Sequence, residues 1–573
     1  MYRLRPALKV DTLQTIDIGY ECILKELQSK ATAEKFNSVA MEIYPGVDKT
    51  KWKQAIAAYL PNAVVFDTDE AFQSPARIFS QLQPELTDDP VFGRFSHFDF
   101  EDFLDAKAVG KLQVAMQRTE GLVILIGVGA TSLLAADCVY YLDITRWEVQ
   151  TRYKNDLADN WRGYKEAGFS EKVKRAYYFE WPAADVVKRV TLPKAQIYID
   201  CTNLTEPKAV SVANYLQMLK AFTSQPFRLV PYFDPGVWGG HWMQQHFHVG
   251  VDKVNLAWSF DGVPEENSIL AEAQDGHQLE TPAQNLVLFE AKALMGNRVF
   301  GRYGSDFPIR FDLLDTWEGQ NLSLQVHPTL DYAYRKFGAK TTQDESYYIL
   351  DVNGDDAVVY LGLKDGISKA EVVHALTDAA STGTFDDERY INRIPIKKHD
   401  HILIPGGTVH SSGKNSVVLE ISQTPNRFTF KLWDWARKDL DGKPRPISLH
   451  HGKYVINDQV DADFAKQSLF DHIKVLSDSD GIKREQTGLY DTEAITTQRL
   501  TLSAPSLENV EDSVNMLSVV DGEGAIIESV DGSFSPYTVY YAETFIIPEK
   551  VKQYRICPLR DGQSIMVLKA FVR

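Results

Sequence analysis

The chain has 573 residues, which predicts more than one folding core because domains usually contain about 100 to 200 residues. Hydrophobic residues make up 44% and charged residues 24% of the chain, and this balance excludes wholesale disorder and a fibrous architecture. The formal net charge of -17 disfavours nucleic acid and anionic membranes as partners, so a small molecule is the expected partner.

The cysteine and hydropathy patterns point to a reducing compartment. The four cysteines are widely spaced, which predicts neither a disulfide framework nor a thiolate zinc site. No apolar run reaches the roughly 20 residues that a membrane span needs, and the first 20 residues lack an apolar signal segment. We therefore expect a cytoplasmic protein.

Residues 37–200 alternate short β-branched runs with helical patterns, which predicts an α/β domain with a mostly parallel sheet. Strands are expected at 38–43, 63–67, 122–128, 138–144 and 196–200, and helices at 51–60 and 103–117. A further helix is expected at 214–222. The first domain is predicted over 1–205, with a linker over 206–232.

Residues 43–50 follow the first strand of this domain and precede a helix, where a phosphate-binding loop would lie. Lys49 and Thr50 match the end of the motif G-x-x-x-x-G-K-[ST], but Ile43 and Asp48 replace its two glycines. The order of elements resembles that of P-loop kinases of the uridine-kinase type. That resemblance implies a kinase-like fold, and the lost glycines predict a degenerate domain with a docking, regulatory or oligomerising role.

Beyond residue 232, Gly and Pro punctuate short alternating strands, as in an antiparallel barrel or sandwich. We expect one such domain over 233–455, with helical insertions at 329–337 and 369–381. A second, smaller barrel is expected over 456–573.

Four residues of the first barrel form a candidate metal site. Strand alternation puts Gln325 and His327 on one face, and Glu345 opens the next predicted strand. His410 follows a Pro-Gly-Gly turn, where close backbone approach is easiest. Two imidazoles, a carboxylate and an amide oxygen suit a divalent metal with room for water or substrate.

These motifs resemble those of type I mannose-6-phosphate isomerases. The resemblance rests on Gln-Val-His-Pro at 325–328, Glu345 and Pro-Gly-Gly-Thr-Val-His at 405–410, together with Trp-Gly-Gly at 238–240. It covers about 233–573 and implies a double cupin with RmlC-like jelly rolls. It also implies one divalent ion per chain, most simply Zn²⁺, although the ligand set accepts other metals.

The resemblance further implies residue roles around the metal. Glu420 and Lys431 become the catalytic candidates, and the candidates for binding the substrate are Ser323, Lys398, Trp238 and Arg437. Two positions depart from the family. Lys431 stands where the family carries an arginine, and Gln343 stands where it often carries a lysine that helps to bind phosphate. Phosphate recognition and proton transfer are therefore where the substrate or mechanism would differ.

The leading hypothesis is a metal-dependent aldose-ketose isomerase of a phosphorylated hexose, interconverting mannose 6-phosphate and fructose 6-phosphate. Two alternatives stay open, a non-catalytic sugar-binding or regulatory cupin and a bifunctional kinase-isomerase. The expected partner is a small phosphosugar, and self-association into a homo-oligomer is compatible with the sequence.

Overall fold

The structure is a computed structural model that describes residues 2–163, 166–424, 427–438, 442, 445–488 and 493–573. Its chain forms two compact units, one made of 7–222 with 268–290 and the other of 1–6 with 223–267 and 291–573. Among the helices of these ranges, none has the length and hydropathy that a membrane span requires.

The N-terminal part of the chain alternates strands and helices. The strands are β1 (Ala7–Lys9), β2 (Asp17–Ile18), β3 (Ser38–Ile43), β4 (Val64–Asp67), β5 (Val123–Gly127), β6 (Cys138–Asp143), β7 (Ile197–Asp200) and β8 (Lys208–Ser211). The helices are α1 (Tyr20–Glu34), α2 (Lys49–Tyr59), α3 (Pro75–Leu86), α4 (Ala106–Gln117), α5 (Ala130–Leu133), α6 (Arg146–Lys154), α7 (Phe169–Arg175), α8 (Trp181–Thr191) and α9 (Val212–Phe222).

The central part carries most of the candidate site. Its strands are β9 (Tyr232–Asp234), β10 (Trp258–Gly262), β11 (Ser268–Glu272), β12 (Gln278–Pro282), β13 (Ile309–Asp315), β14 (Leu324–Val326), β15 (Glu345–Val352), β16 (Val358–Leu363), β17 (Ile391–Pro395), β18 (His401–Ile404), β19 (His410–Ser412), β20 (Ser416–Gln423) and β21 (Phe430–Trp433). Its helices are α10 (Trp242–Phe247), α11 (Ala283–Met295), α12 (Asn297–Tyr303), α13 (Leu330–Phe337), α14 (Lys369–Thr382), α15 (Asp387–Tyr390) and α16 (Leu449–Val455).

The C-terminal part is almost entirely strands. After the short helix α17 (Ala462–Phe464) come β22 (Lys474–Ser479), β23 (Ile482–Gln486), β24 (Ile495–Leu502), β25 (Ser506–Asn509), β26 (Asn515–Asp521), β27 (Gly524–Ser529), β28 (Tyr537–Tyr540), β29 (Thr544–Ile547), β30 (Gln553–Pro558) and β31 (Ile565–Val572).

The first unit contains a seven-stranded sheet in the order β2-β8-β7-β6-β3-β5-β4. The strands from β7 to β4 are parallel, and β8 and β2 add an antiparallel edge. The predicted α/β domain with a mostly parallel sheet is thus confirmed. Because β3 lies in the middle of the parallel strands, the loop after it lies at a switch point, where α/β sheets bind ligands.

The first barrel of the other unit is a sandwich of two antiparallel sheets. One sheet has the order β18-β15-β20-β13-β10-β9, and the other has the order β17-β16-β19-β14-β21. Side chains from both sheets, such as Tyr347 and Val418 facing Val359 and Leu361, share one fully buried core. The helical insertions expected at 329–337 and 369–381 are present as α13 and α14.

The second barrel repeats this architecture at smaller size. Its sheets have the orders β22-β23-β24-β31-β26-β29 and β25-β30-β27-β28. Leu517 and Val567 from the first of these sheets pack with Ile527 and Ile556 from the second. The expectation of a second barrel near the C-terminus therefore agrees with the structure.

The domain boundaries differ from those predicted. The interval 206–232 is not a linker, because β8 pairs with β7 and α9 buries Tyr215, Met218 and Phe222. Residues 268–290 fold with the first unit, and residues 1–6 fold with the second. The core of the first barrel also extends past 455, since Ala465 and Leu469 are fully buried within it. Local composition carries no information on such long-range pairings.

Candidate metal centre and substrate cavity

Three strand ends bring the predicted metal ligands together. Gln325 lies in β14 and pairs with His410 at the start of β19, and His327 directly follows β14. Glu345 opens β15 in the opposite sheet of the same barrel. The two sheets thus contribute candidate ligands from both sides of the barrel interior.

The ligand atoms lie close enough to share one ion. The imidazole of His327 lies 3.0 Å from one carboxylate oxygen of Glu345, and the imidazole of His410 lies 2.7 Å from the other, in each case measured from Nε2. One ligand atom from each of these residues falls within 4.8 Å of the others, and all three residues are buried. This is the size of a mononuclear metal site.

Hydrogen bonds on the far side of each ring orient the imidazoles for metal binding. Nδ1 of His327 lies 3.1 Å from the carbonyl of Phe428, and Nδ1 of His410 lies 2.9 Å from the carbonyl of Thr408. A ring nitrogen that faces a carbonyl carries the proton, so each Nε2 keeps its lone pair. Lone pairs of two imidazoles and a carboxylate that converge in a buried space are suited to hold a cation between them.

The charges at the centre favour an ionised carboxylate. Burial raises the pKa of Glu345, but His327 and His410 outweigh burial and hold that pKa well below its usual range. Burial likewise lowers the pKa of His327, yet the carboxylate of Glu345 leaves it above its usual value. A carboxylate held in its charged form is the state that a metal ion requires.

Gln325 is the fourth candidate metal ligand. Its amide nitrogen lies 3.1 Å from Nε2 of His410, and the amide is buried. A half-turn about the last side-chain bond places the amide oxygen at the same position, which is the orientation that a cation would select.

A cavity of about 200 Å³ opens beside the centre within the barrel. Of the predicted residues, the cavity wall includes Trp238, Ser323, Gln325, Glu420 and Lys431. Most of the substrate-binding and catalytic residues predicted from the sequence therefore line the same cavity.

Glu420 and Lys431 both have perturbed acidities. Burial, with Asp312 and Glu345 nearby, raises the pKa of Glu420 well above its usual value. Burial and the guanidinium of Arg445 lower the pKa of Lys431 to about 8. The cavity thus holds a carboxyl group that tends to keep its proton and an amine that tends to lose it, which is typical of acid-base sites.

Two predicted substrate-binding residues lie elsewhere. Lys398 is not among the residues that line the cavity; its ammonium lies 3.0 Å from Asp521 of the second barrel. Arg437 donates to the buried carboxylate of Asp434 and to the carbonyl of Asn321. Neither residue is among those that line the cavity, so the structure does not bring these two predicted residues to the metal centre.

Ser323 lines the cavity, and its hydroxyl donates a hydrogen bond to Asp434 at 2.9 Å. Arg445 lies 2.8 Å from the other oxygen of Asp434. Asp434 therefore organises one wall of the cavity, a role that the sequence did not suggest.

Sequence reasoning also missed Arg310 and Asp312, which line the cavity from β13. Asp312 pairs with Glu420 across β13 and β20, and Arg310 donates to Ser422 at 3.1 Å. A usable signal existed, because charged residues at alternate positions of an otherwise apolar strand share its inner face.

Gln343 connects the metal ligand with the acid-base candidate. Its amide nitrogen lies 3.2 Å from a carboxylate oxygen of Glu345 and 3.3 Å from one of Glu420. Gln343 lines the cavity at the position where the family often carries a lysine that helps to bind phosphate. Its neutral amide adds no positive charge there.

Comparison with known proteins separates the two parts of the chain. Residues 19–224 match a family model described as a domain of unknown function, DUF8485. The chain is 28% identical over 237 residues to mannose-6-phosphate isomerase ManA of Bacillus subtilis strain 168, covering 41% of this chain and 69% of that protein. It is 26% identical over 228 residues to mannose-6-phosphate isomerase of Streptococcus mutans, covering 39% and 66%.

A solved structure shows the same fold. The crystal structure of mannose 6-phosphate isomerase from Bacillus subtilis matches with a TM-score of 0.50 at 20% identity, covering 60% of this chain and 99% of that one. The barrels with the candidate metal centre therefore have the cupin-type fold of that enzyme, and about 40% of the chain is homologous in sequence to mannose-6-phosphate isomerases.

Proposed function

We propose that the protein is a metal-dependent isomerase that interconverts mannose 6-phosphate and fructose 6-phosphate. The observation that carries this proposal is the convergence of Gln325, His327, Glu345 and His410 in one buried centre beside a cavity. Two relatives of the chain, from Bacillus subtilis and Streptococcus mutans, are mannose-6-phosphate isomerases.

We assign one divalent ion per chain to this centre, with zinc as the simplest choice. Two imidazoles, a carboxylate and an amide oxygen match the ligand preferences of zinc and leave a position for substrate. When bound, the ion polarises the sugar carbonyl and neutralises the negative charge that develops during proton transfer.

Lys431 and Glu420 supply the proton transfers. Aldose-ketose isomerisation removes a proton from one carbon next to the carbonyl and returns one to its neighbour. The unprotonated Nζ of Lys431 would accept the proton from carbon, and the carboxyl group of Glu420 would donate one to the sugar oxygen. The lowered pKa of about 8 for Lys431 and the raised pKa of Glu420 support these opposite roles.

Phosphate binding is assigned to the guanidinium groups that reach the cavity, Arg310 and Arg445. They replace Lys398 and Arg437 in that role. Asp434 fixes Arg445, and Ser422 fixes Arg310, so both groups are held in place before substrate arrives.

The first unit carries a fold that we propose to be kinase-like but without a working phosphate loop. The central position of β3 and the placement of Lys49 at the start of α2 support the fold. Asp48 occupies the N-cap of α2, and Lys49 lies 2.7 Å from Asp67 and 2.8 Å from Asp69. These carboxylates take the place of an anionic ligand, which favours a docking or regulatory role.

The proposal is tested by incubating the purified full-length chain with mannose 6-phosphate. Fructose 6-phosphate should form, a chelator should abolish its formation, and added zinc or a similar ion should restore it. Tight binding of the phosphosugar without turnover by metal-loaded protein would instead assign a sugar-sensing role.

A further inference from the structure

A second and larger cavity lies in the barrel unit. Its volume is about 610 Å³, within the range of roughly 300 to 1,000 Å³ that is typical of small-molecule sites. None of the residues that line it also lines the cavity beside the metal centre. The proposed isomerase reaction leaves this space without a role.

Two cations on its wall form no ion pair with a carboxylate of the described residues. Arg302 at the end of α12 and Lys340 in the loop before β15 both line the cavity. Among the residues that the structure describes, no carboxylate forms an ion pair with either side chain. Both residues are exposed, so an anion that enters the cavity can reach either charge.

A buried hydroxyl also lacks a partner. Tyr303 is only 6% exposed and lines the cavity, and its buried hydroxyl has no hydrogen-bond partner in the described part of the chain. A buried polar group without a partner costs about 1 to 3 kcal/mol, which a ligand atom in the cavity would recover.

The remaining wall is suited to a polyol. Asp344, Gln423 and Asn457 offer carboxylate and amide groups, and Phe464 offers an aromatic face. Carboxylate and amide groups accept from and donate to sugar hydroxyls, and an aromatic ring packs against the apolar face of a sugar. The wall thus combines two cations with groups that bind hydroxyls.

Two residues of the cavity wall belong to the segments that carry the metal ligands: Asp344 precedes Glu345, and Gly406 lies in the turn before His410. The amide of Gly406 donates to Asp344 at 2.8 Å, next to Glu345, and the amide of Gly407 donates to the carbonyl of His327 at 2.9 Å. A ligand in this cavity would therefore contact the segments that carry the metal ligands without entering the substrate cavity.

We propose that this cavity is a second binding site, specific for a small phosphorylated sugar, with the phosphate at Arg302 and Lys340 and the hydroxyls at Asp344, Gln423 and Asn457. The site is separate from the proposed catalytic cavity. Its existence does not depend on the isomerase assignment.

The test measures acylation of individual lysines in the full-length, metal-loaded chain by mass spectrometry. Glucose 6-phosphate serves as the probe, and Lys336, an exposed residue of α13 outside the cavity, is the internal control. Glucose 6-phosphate should slow acylation of Lys340 and leave Lys336 unchanged. Inorganic phosphate should need about tenfold higher concentrations, since it lacks the hydroxyl contacts, and glucose should not protect.

An Arg302→Met variant should raise the concentration of glucose 6-phosphate needed for protection by about tenfold or more, because it removes a charge-assisted contact. An Arg335→Met variant, which changes an exposed arginine of α13, should not. The proposal is overturned by equal acylation of Lys340 with and without millimolar glucose 6-phosphate, or by unaltered protection in Arg302→Met. Equal protection by inorganic phosphate would overturn the sugar specificity. Isomerase activity, measured separately on the same variants, reports on the other cavity.

Discussion

Proton transfer in the proposed reaction depends on side chains whose usual ionisation is reversed by their surroundings. Lys431 is buried beside Arg445, which lowers its pKa to about 8, and no carboxylate among the described residues pairs with it. An arginine at this position would stay protonated at all accessible pH values. The departure from the family therefore changes what the residue can do, since a lysine can act as a base.

The pH profile of turnover tests this role of Lys431. The amine accepts a proton only when uncharged, so kcat should rise with pH and level off above about 8, the pKa of the buried amine. Lys431→Arg should lose this rising limb, and Lys431→Met should lower kcat by about 10² to 10⁴ fold. Metal content should stay unchanged in both variants. The same rising limb in Lys431→Arg would contradict the assignment.

At this scale the sequence is most informative about the metal ligands and least informative about their partners. Gln325, His327, Glu345 and His410 are recognisable because each sits at a fixed offset from a strand or turn. The ion pair of Lys398 with Asp521 depends on a contact between distant parts of the chain, and that of Arg437 with Asp434, three residues away, depends on how the turn between them folds. A local motif cannot reveal whether a surface cation already has a partner.

Strand ends and tight turns determine the geometry of the metal centre. The Pro-Gly-Gly turn before His410 passes so close to the segment after His327 that a Cβ atom on Gly406 would lie 2.6 Å from the carbonyl oxygen of Pro328. Gly407 adopts a φ of 95°, which L-residues rarely adopt. The two glycines therefore permit the approach that places His410 opposite Gln325.

Gly406→Ala tests whether this approach matters. The added methyl group must push the turn away from Pro328, which displaces His410 and should weaken metal binding by about tenfold or more. Gly301→Ala, whose Cβ would meet nothing within 4 Å, is the matched control and should bind metal as the unaltered chain does. Metal affinity is measured by competition with a chelator. Equal affinities of the two variants would show that the close approach is not needed.

Element prediction succeeds where periodicity is strong. The strand expected at 38–43 matches β3 without change, and the helix expected at 369–381 matches α14 within one residue. The helix expected at 214–222 is present as α9, but the expected linker over 206–232 also contains the short strand β8, which the pattern does not predict. The role of β8 becomes visible only when it pairs with β7.

The chain does not divide into consecutive domains at the scale of the whole molecule. The first unit includes 268–290, and the barrel unit includes 1–6, where the guanidinium of Arg228 lies against Glu543 and donates to the backbone carbonyl of Arg3. A fragment that ends at 205 would therefore lack β8, α9, β11 and β12. Experiments on nucleotide binding require the full chain.

The kinase alternative predicts that the full chain binds ATP through Lys49. We expect no saturable binding at millimolar ATP, because Lys49 is held by Asp67 and Asp69 and Asp48 caps α2. Lys49→Ala should leave isomerase turnover unchanged. Calorimetric titration of both proteins checks this, and saturable binding that disappears in Lys49→Ala would establish a nucleotide site.

Turnover of mannose 6-phosphate by a double variant tests whether the metal centre carries the isomerase reaction. The metal-loaded chain should form fructose 6-phosphate, and His327→Ala with His410→Ala should lower the rate by about 10³ fold or more, because two of the metal ligands are removed. His374→Ala with His472→Ala, which changes one exposed and one half-buried histidine that do not line the cavity beside the metal centre, should keep full activity. Undiminished fructose 6-phosphate formation by the first variant, or none by the metal-loaded unaltered chain, would contradict the account.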